Sequence, residues 1–71
     1  MSVFRWIEHE TQSGICECYR VKADTLREAV VKFRDFMSGQ GKDLLFDDVG
    51  HAYCKQTLAD FYLIRSWIEV D

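Results

Sequence analysis

The sequence lacks several features that would assign it to a class at once. Proline is absent, so the chain has no stiff proline-rich linker, and its four glycines form no cofactor-binding fingerprint. Uninterrupted apolar runs are only a few residues long, so we expect no transmembrane helix and no membrane partner. The first residues lack the long apolar core of a signal peptide. Three cysteines cannot pair into a closed disulfide framework, which favours a reduced chain in the cytoplasm.

An excess of one charge is also missing. Nine Lys and Arg stand against twelve Asp and Glu, and the resulting net charge of −3 disfavours a nucleic-acid partner. No nucleophile elbow, phosphate-binding loop or zinc-protease signature is present, so we expect no enzymatic activity and no cofactor. What the chain does contain is apolar residues, at 48%, which is too many for a disordered protein. Its 71 residues leave room for a single domain, 1–71.

Residue periodicity predicts a small α+β domain of order β-β-α-β-β, with one helix packed on one face of an antiparallel sheet. Residues 3–10 and 15–22 are predicted strands of a hairpin, joined by turn residues. The helix, predicted over 25–38, begins with a Thr-x-x-Glu capping box at Thr25 and ends at Gly39 as a left-handed stop. Its apolar face is predicted to contain Leu26, Ala29, Val30, Phe33, Phe36 and Met37.

The C-terminal half allows two interpretations. Residues 49–54 and 61–70 are rich in large and β-branched residues and are predicted strands, separated by a loop over 55–60. The alternative places a second helix over 56–64, because Leu58, Phe61 and Tyr62 also fit helical spacing. The strand interpretation is the favoured one.

The first and last predicted strands are apolar on both faces. One helix of about 14 residues, roughly 20 Å long, covers only one face of a sheet. A domain of this size buries about 60% of its unfolded surface and usually needs a disulfide, a metal or a second subunit for stability. The second face is therefore a candidate contact surface for a protein partner or a homodimer, with anchors at Phe4, Trp6, Tyr62 and Trp67. Alternatively, the C-terminal segment covers it.

Four residues have metal-ligand character: Cys16, Cys18, His51 and Cys54. Together they would form a Cys3His set, which suits tetrahedral zinc. However, structural zinc sites use Cys-x2–4-Cys rather than Cys-x-Cys, and free cysteines also pack as small hydrophobic residues. We therefore expect no metal, and keep a Cys/His metal-binding module as an alternative.

Acidic residues accumulate in the C-terminal half, at Asp43, Asp47, Asp48 and Asp60. A negative patch there would steer the chain towards a basic protein partner, with Asp47 and Asp48 as candidate contacts. The alternative is a solvated loop in which the aspartates form turns.

The segment from Arg20 to Ala29 reads Arg-Val-Lys-Ala-Asp-Thr-Leu-Arg-Glu-Ala, a strand end followed by the opening of a helix. It resembles very small proteins of phages and mobile elements, among them anti-CRISPR inhibitors of β-β-α-β-β order. The resemblance covers about ten residues and the order of elements, so no binding residue is carried over. It implies a phage-encoded inhibitor that occludes a site on a bacterial defence complex, in the host cytoplasm.

These observations together predict a non-enzymatic protein-binding module. A structural homo-oligomer, which would use the second sheet face only on itself, is the first alternative, and the metal-binding module is the second.

Overall fold

The computed structural model describes residues 2–10, 14, 16–64 and 69–70. In this part of the chain, two strands precede one helix and four strands follow it: β1 (Ser2–His9), β2 (Cys16–Ala23), α1 (Leu26–Ser38), β3 (Leu44–Phe46), β4 (Ala52–Cys54), β5 (Asp60–Leu63) and β6 (Glu69–Val70). The helix and the antiparallel sheet confirm the α+β class. The predicted order is not matched, because four strands rather than two follow α1.

Every strand pairing in the sheet is antiparallel. The strands lie in the order β2-β1-β5-β4-β3, and β6 pairs with β1. Because β2 pairs with β1 along its full length, β5 and β6 share the opposite edge of β1. The predicted hairpin of the first two strands is confirmed.

Helix α1 begins as the capping box predicts and ends at Ser38, as predicted, but the left-handed residue is Gly41 rather than the predicted Gly39. The Thr25 hydroxyl oxygen accepts a hydrogen bond from the Glu28 backbone N–H at 3.2 Å. Gly39 keeps right-handed helical geometry, with a φ of −63°, and Gly41 takes the left-handed conformation, with a φ of +77°. A glycine tolerates that conformation without a steric penalty, so Gly41 ends the turn.

The core lies between α1 and one face of the sheet. Ala29, Phe33 and Met37 are the buried residues of the helix, while Phe36, predicted on the same face, is 54% exposed. The Phe33 ring stacks on the Trp6 ring, with centroids 4.8 Å apart. The sheet adds a set of buried apolar side chains to this cluster: Phe4, Trp6, Ala23, Leu44, Ala52, Cys54, Phe61 and Leu63.

The C-terminal half forms strands, as the favoured interpretation predicts, but the predicted strand 61–70 is not continuous, because β5 ends at Leu63 and β6 begins at Glu69. Asp60–Leu63 is β5, so the alternative helix over 56–64 is wrong. In β5 the side chains of Phe61 and Leu63 are buried and that of Tyr62 is exposed, which is the alternation of a strand with one covered face. Among the described residues, no helix is long and apolar enough to cross a membrane.

Candidate functional site: the open face of the sheet

The register of the strands assigns each described side chain to one of two sheet faces. Trp6 lies opposite Tyr19 on β2 and opposite Leu63 on β5, so these three side chains project towards α1. Ile7 lies opposite Cys18 and Tyr62, which project the other way. We call this second face, opposite α1, the open face, although Val3 of β1, which also projects there, is only 1% exposed.

Phe4 and Trp6 were predicted to be anchors of a contact surface, and the structure places both in the core instead. Trp6 is completely buried and Phe4 is 6% exposed. The indole Nε1 of Trp6 donates a hydrogen bond to the backbone oxygen of Gly50 at 2.6 Å. The physical reason is that α1 covers the face of β1 that carries the larger rings, so neither ring offers surface to a partner.

Among the side chains that the structure describes, three large apolar ones lie exposed on the open face. Leu45 of β3 is 55% exposed, Tyr53 of β4 is 40% exposed and Tyr62 of β5 is 45% exposed. Leu45 and Tyr53 are directly opposite each other, and Tyr53 lies opposite Asp60, two residues from Tyr62 on the same face. We call Leu45, Tyr53 and Tyr62 the open-face patch.

A groove of about 280 Å³ lies within the patch. The imidazole of His51 meets the Tyr62 ring edge-on, with centroids 5.4 Å apart. Tyr53 also lines the groove, and the carboxylates of Asp47 and Asp60 are part of its wall. We call this feature the His51 groove.

The two predicted acidic contacts differ in position. Asp47 lines the His51 groove, and its Oδ1 accepts hydrogen bonds from the backbone N–H groups of Val49 and His51, at 3.1 and 2.8 Å. Asp47 therefore also forms the turn between β3 and β4. Asp48 lies at a second groove, of about 460 Å³, between α1 and the turn that joins β3 to β4, and Arg27 and Arg34 also line it. Asp47 lines both grooves, whereas Asp48 lines only the second.

A polar cluster lies on the face that α1 covers. Glu8 is only 4% exposed, and its carboxylate accepts a hydrogen bond from the Tyr19 hydroxyl at 2.9 Å. The same hydroxyl lies 3.2 Å from the Glu17 carboxylate. Burial, followed by the hydrogen bond and negative charge of Glu8 and then of Glu17, raises the pKa of Tyr19 above its ordinary value of 10.0. Tyr19 therefore stays protonated and satisfies the buried carboxylate.

The predicted Cys3His set does not assemble among the described side chains. Cys54 is buried in the core on the helix side of β4. Cys18 is exposed on β2 and shares the open face with His51. The sheet separates Cys54 from these two residues, and β1 and β5 lie between β2 and β4. Of Cys16 only the backbone is described. Within the described residues, no group of three or more His, Cys, Asp or Glu side chains is placed to hold a metal ion.

Of the four predicted anchors, only Tyr62 is found on the open face, and Trp67 lies outside the described residues. The structure adds Leu45 and Tyr53, which sequence reasoning did not single out. The sequence carried no signal for them, because every residue of Leu44–Phe46 and Ala52–Cys54 is apolar and no alternation with polar residues marks an exposed face.

Comparison of the chain with protein-family models, with curated proteins and with solved structures gave no match.

Proposed function

We propose that the chain is a non-enzymatic protein-binding module whose contact surface is the open-face patch. The observation that carries the proposal is the exposure of Leu45, Tyr53 and Tyr62 side by side on three adjacent strands. Single exposed apolar side chains are ordinary on protein surfaces, whereas contiguous ones mark interaction sites.

The energetics of association favour this surface. Burying one large apolar side chain contributes about 1.5–3 kcal/mol, so three such residues can supply a large part of a binding free energy. Tyrosine is among the residues that dominate interface energies, because it offers a large rigid ring with a polar end. Because these side chains stand on paired strands, little conformational entropy is lost when a partner covers them.

The resemblance to small phage proteins names one kind of partner, a bacterial defence complex. That assignment remains a prediction, and the proposed binding surface does not depend on it. Self-association through the same patch is the alternative, and it can be distinguished by measurement.

A pair of matched double variants tests the proposal. Tyr53→Ser with Tyr62→Ser removes the two rings of the patch, and Val31→Ser with Phe36→Ser removes two comparably exposed apolar side chains from α1. Each variant and the unmodified chain would be used as bait in a lysate of the source organism, with the retained proteins quantified by mass spectrometry. Circular dichroism and denaturant unfolding would establish that both variants remain folded.

We expect the unmodified chain and the helix variant to retain the same proteins, and the patch variant to lose them. Retention of the same proteins by the folded patch variant would contradict the proposal. A dimer that the patch variant abolishes in sedimentation experiments, with no other protein retained, would establish the homo-oligomer in its place.

A further inference from the structure

The His51 groove has a chemistry more specific than that of an apolar patch. Its walls combine aromatic faces, from His51, Tyr53 and Tyr62, with the carboxylates of Asp47 and Asp60. Aromatic faces attract cations through the quadrupole of the ring, and carboxylates attract them through charge. The aromatic rings and the carboxylates therefore both favour a positively charged ligand.

Among the described residues, the arginines of the open face lie on β1 and β2, outside the groove. The described residues that line the groove include no lysine and no arginine. Arg5 and Arg20 are opposite each other on β1 and β2. Arg5 lies on the same face as Ile7, two residues away along β1, and Ile7 lies opposite Tyr62 of β5. Among the described lining residues, the acidic side chains of Asp47 and Asp60 are thus accompanied by no lysine or arginine.

One of the two carboxylates is held in place before any partner binds. The two backbone N–H groups that donate to Asp47 Oδ1 fix the orientation of its side chain at the edge of the groove. Asp60 lies on β5, within the paired part of the sheet, directly opposite Tyr53. A site built on fixed groups loses less entropy on binding than one that must be ordered by its ligand.

From this charge complementarity we infer that the groove receives a lysine or arginine side chain of a protein partner, whose neighbouring apolar residues cover Leu45 and Tyr62. The inference rests on the proposed function and names the chemistry of the partner segment. The volume of about 280 Å³ suits one long side chain. The net charge of −3 adds long-range attraction for a basic segment.

Two blocked heptapeptides test the inference against the intact chain. In the first, leucines alternate with lysine and arginine, and in the second, glutamine replaces each basic residue. Binding would be followed by NMR, through the ring resonances of His51, Tyr53 and Tyr62. We expect the basic peptide to shift these resonances, to bind more tightly than the glutamine peptide, and to bind more weakly as salt concentration rises.

Variants of the groove sharpen the test. Asp60→Asn should weaken binding of the basic peptide about two- to fivefold, the range that partly exposed ion pairs give, and leave the glutamine peptide unaffected. Asp35→Asn, at an exposed position on α1, is the matched control and should change neither affinity. Tyr62→Leu keeps an apolar side chain but removes the ring face, so it should weaken the basic peptide more than the glutamine peptide.

The outcomes separate this inference from the proposed function. Equal binding of both peptides at the patch would overturn the inference and leave an apolar contact surface standing. Shifts confined to other residues, or no binding of the basic peptide at all, would also overturn it. Failure of the proposed function would instead appear as a patch variant that retains every captured protein.

Discussion

At the scale of single residues, Tyr19 shows how one hydroxyl group stabilises a buried charge. Glu8 is a carboxylate in the interior of a small domain, where an unsatisfied polar group is costly. The Tyr19 hydroxyl donates to it, and burial and the nearby carboxylates raise the pKa of Tyr19. The folded state consequently holds the phenol proton more tightly than the unfolded state does.

This difference predicts an alkaline loss of stability. The contribution is fully present below the ordinary tyrosine pKa of 10.0 and declines as pH rises above it, because the unfolded state releases the proton first. Tyr19→Phe should lower the free energy of unfolding by about 1–3 kcal/mol at neutral pH, since Glu8 loses its donor. The variant should then lose less stability than the unmodified chain between neutral and strongly alkaline pH. Urea unfolding across that range checks both effects.

Tyr53→Phe is the control, because Tyr53 is exposed. The free energy of unfolding of this variant should vary with pH in the same way as that of the unmodified chain. If the free energy of unfolding fell equally with pH in the unmodified chain and in Tyr19→Phe, the tighter hold of the folded state on the Tyr19 proton would be contradicted.

Trp6 supplies the second prediction at this scale. Its ring is completely buried, stacks on Phe33 and donates to Gly50. Trp6→Ala should lower the free energy of unfolding by about 3–5 kcal/mol. The total for a domain of this size is about 4–10 kcal/mol, so this variant is close to unfolding.

Trp6→Phe keeps most of the apolar ring and removes only the donor, so it should remain folded and lose about 1–3 kcal/mol. Denaturant unfolding measures both variants. A Trp6→Ala variant as stable as the unmodified chain would show that Trp6 does not belong to the core.

At the scale of elements, the turn between β3 and β4 depends on Gly50. Its φ of +88° is one that side-chain-bearing residues rarely adopt, and an added Cβ would lie 2.9 Å from Leu63 Cδ2. Gly41 also has a positive φ, of +77°, but no atom lies within 4 Å of its added Cβ. The two glycines thus share a backbone requirement and differ in packing.

Gly50→Ala should therefore destabilise the chain more than Gly41→Ala. We expect about 1 kcal/mol for the backbone conformation in each variant, and a further 1–3 kcal/mol of overpacking at Gly50 alone. Thermal and urea unfolding of the two variants give the comparison. Equal losses of stability would contradict the close packing of the turn against β5.

The elements that the sequence predicted correctly are those with long, regular patterns. The eight-residue strands of the hairpin and the capped helix contain enough residues for their period to be recognised. The strands β3 and β4 contain three residues each, so period alone could not reveal that Leu45 and Tyr53 share an exposed face. Only the register of the sheet brings them together.

At the scale of the whole molecule, the high apolar content divides unequally between the two faces of the sheet. The sequence indicated that both faces of the predicted strands 3–10 and 61–70 are apolar, but it could not show which rings α1 would cover. The structure places Phe4, Trp6 and Phe61 under the helix and leaves Tyr62 on the open face. Which rings are buried depends on how they pack around Phe33, and the spacing of residues in the sequence does not specify that packing.

The measurement that tests the central claim most directly compares crosslinking from the two sides of the molecule. A photoreactive phenylalanine analogue would replace Tyr62 in the open-face patch or, as the matched control, Phe36 on α1, which is at least as exposed. After irradiation in a lysate of the source organism, we predict discrete crosslinked proteins from position 62 and none of them from position 36. Identical products from both positions, or products from position 36 alone, would contradict the assignment of the open face as the binding surface.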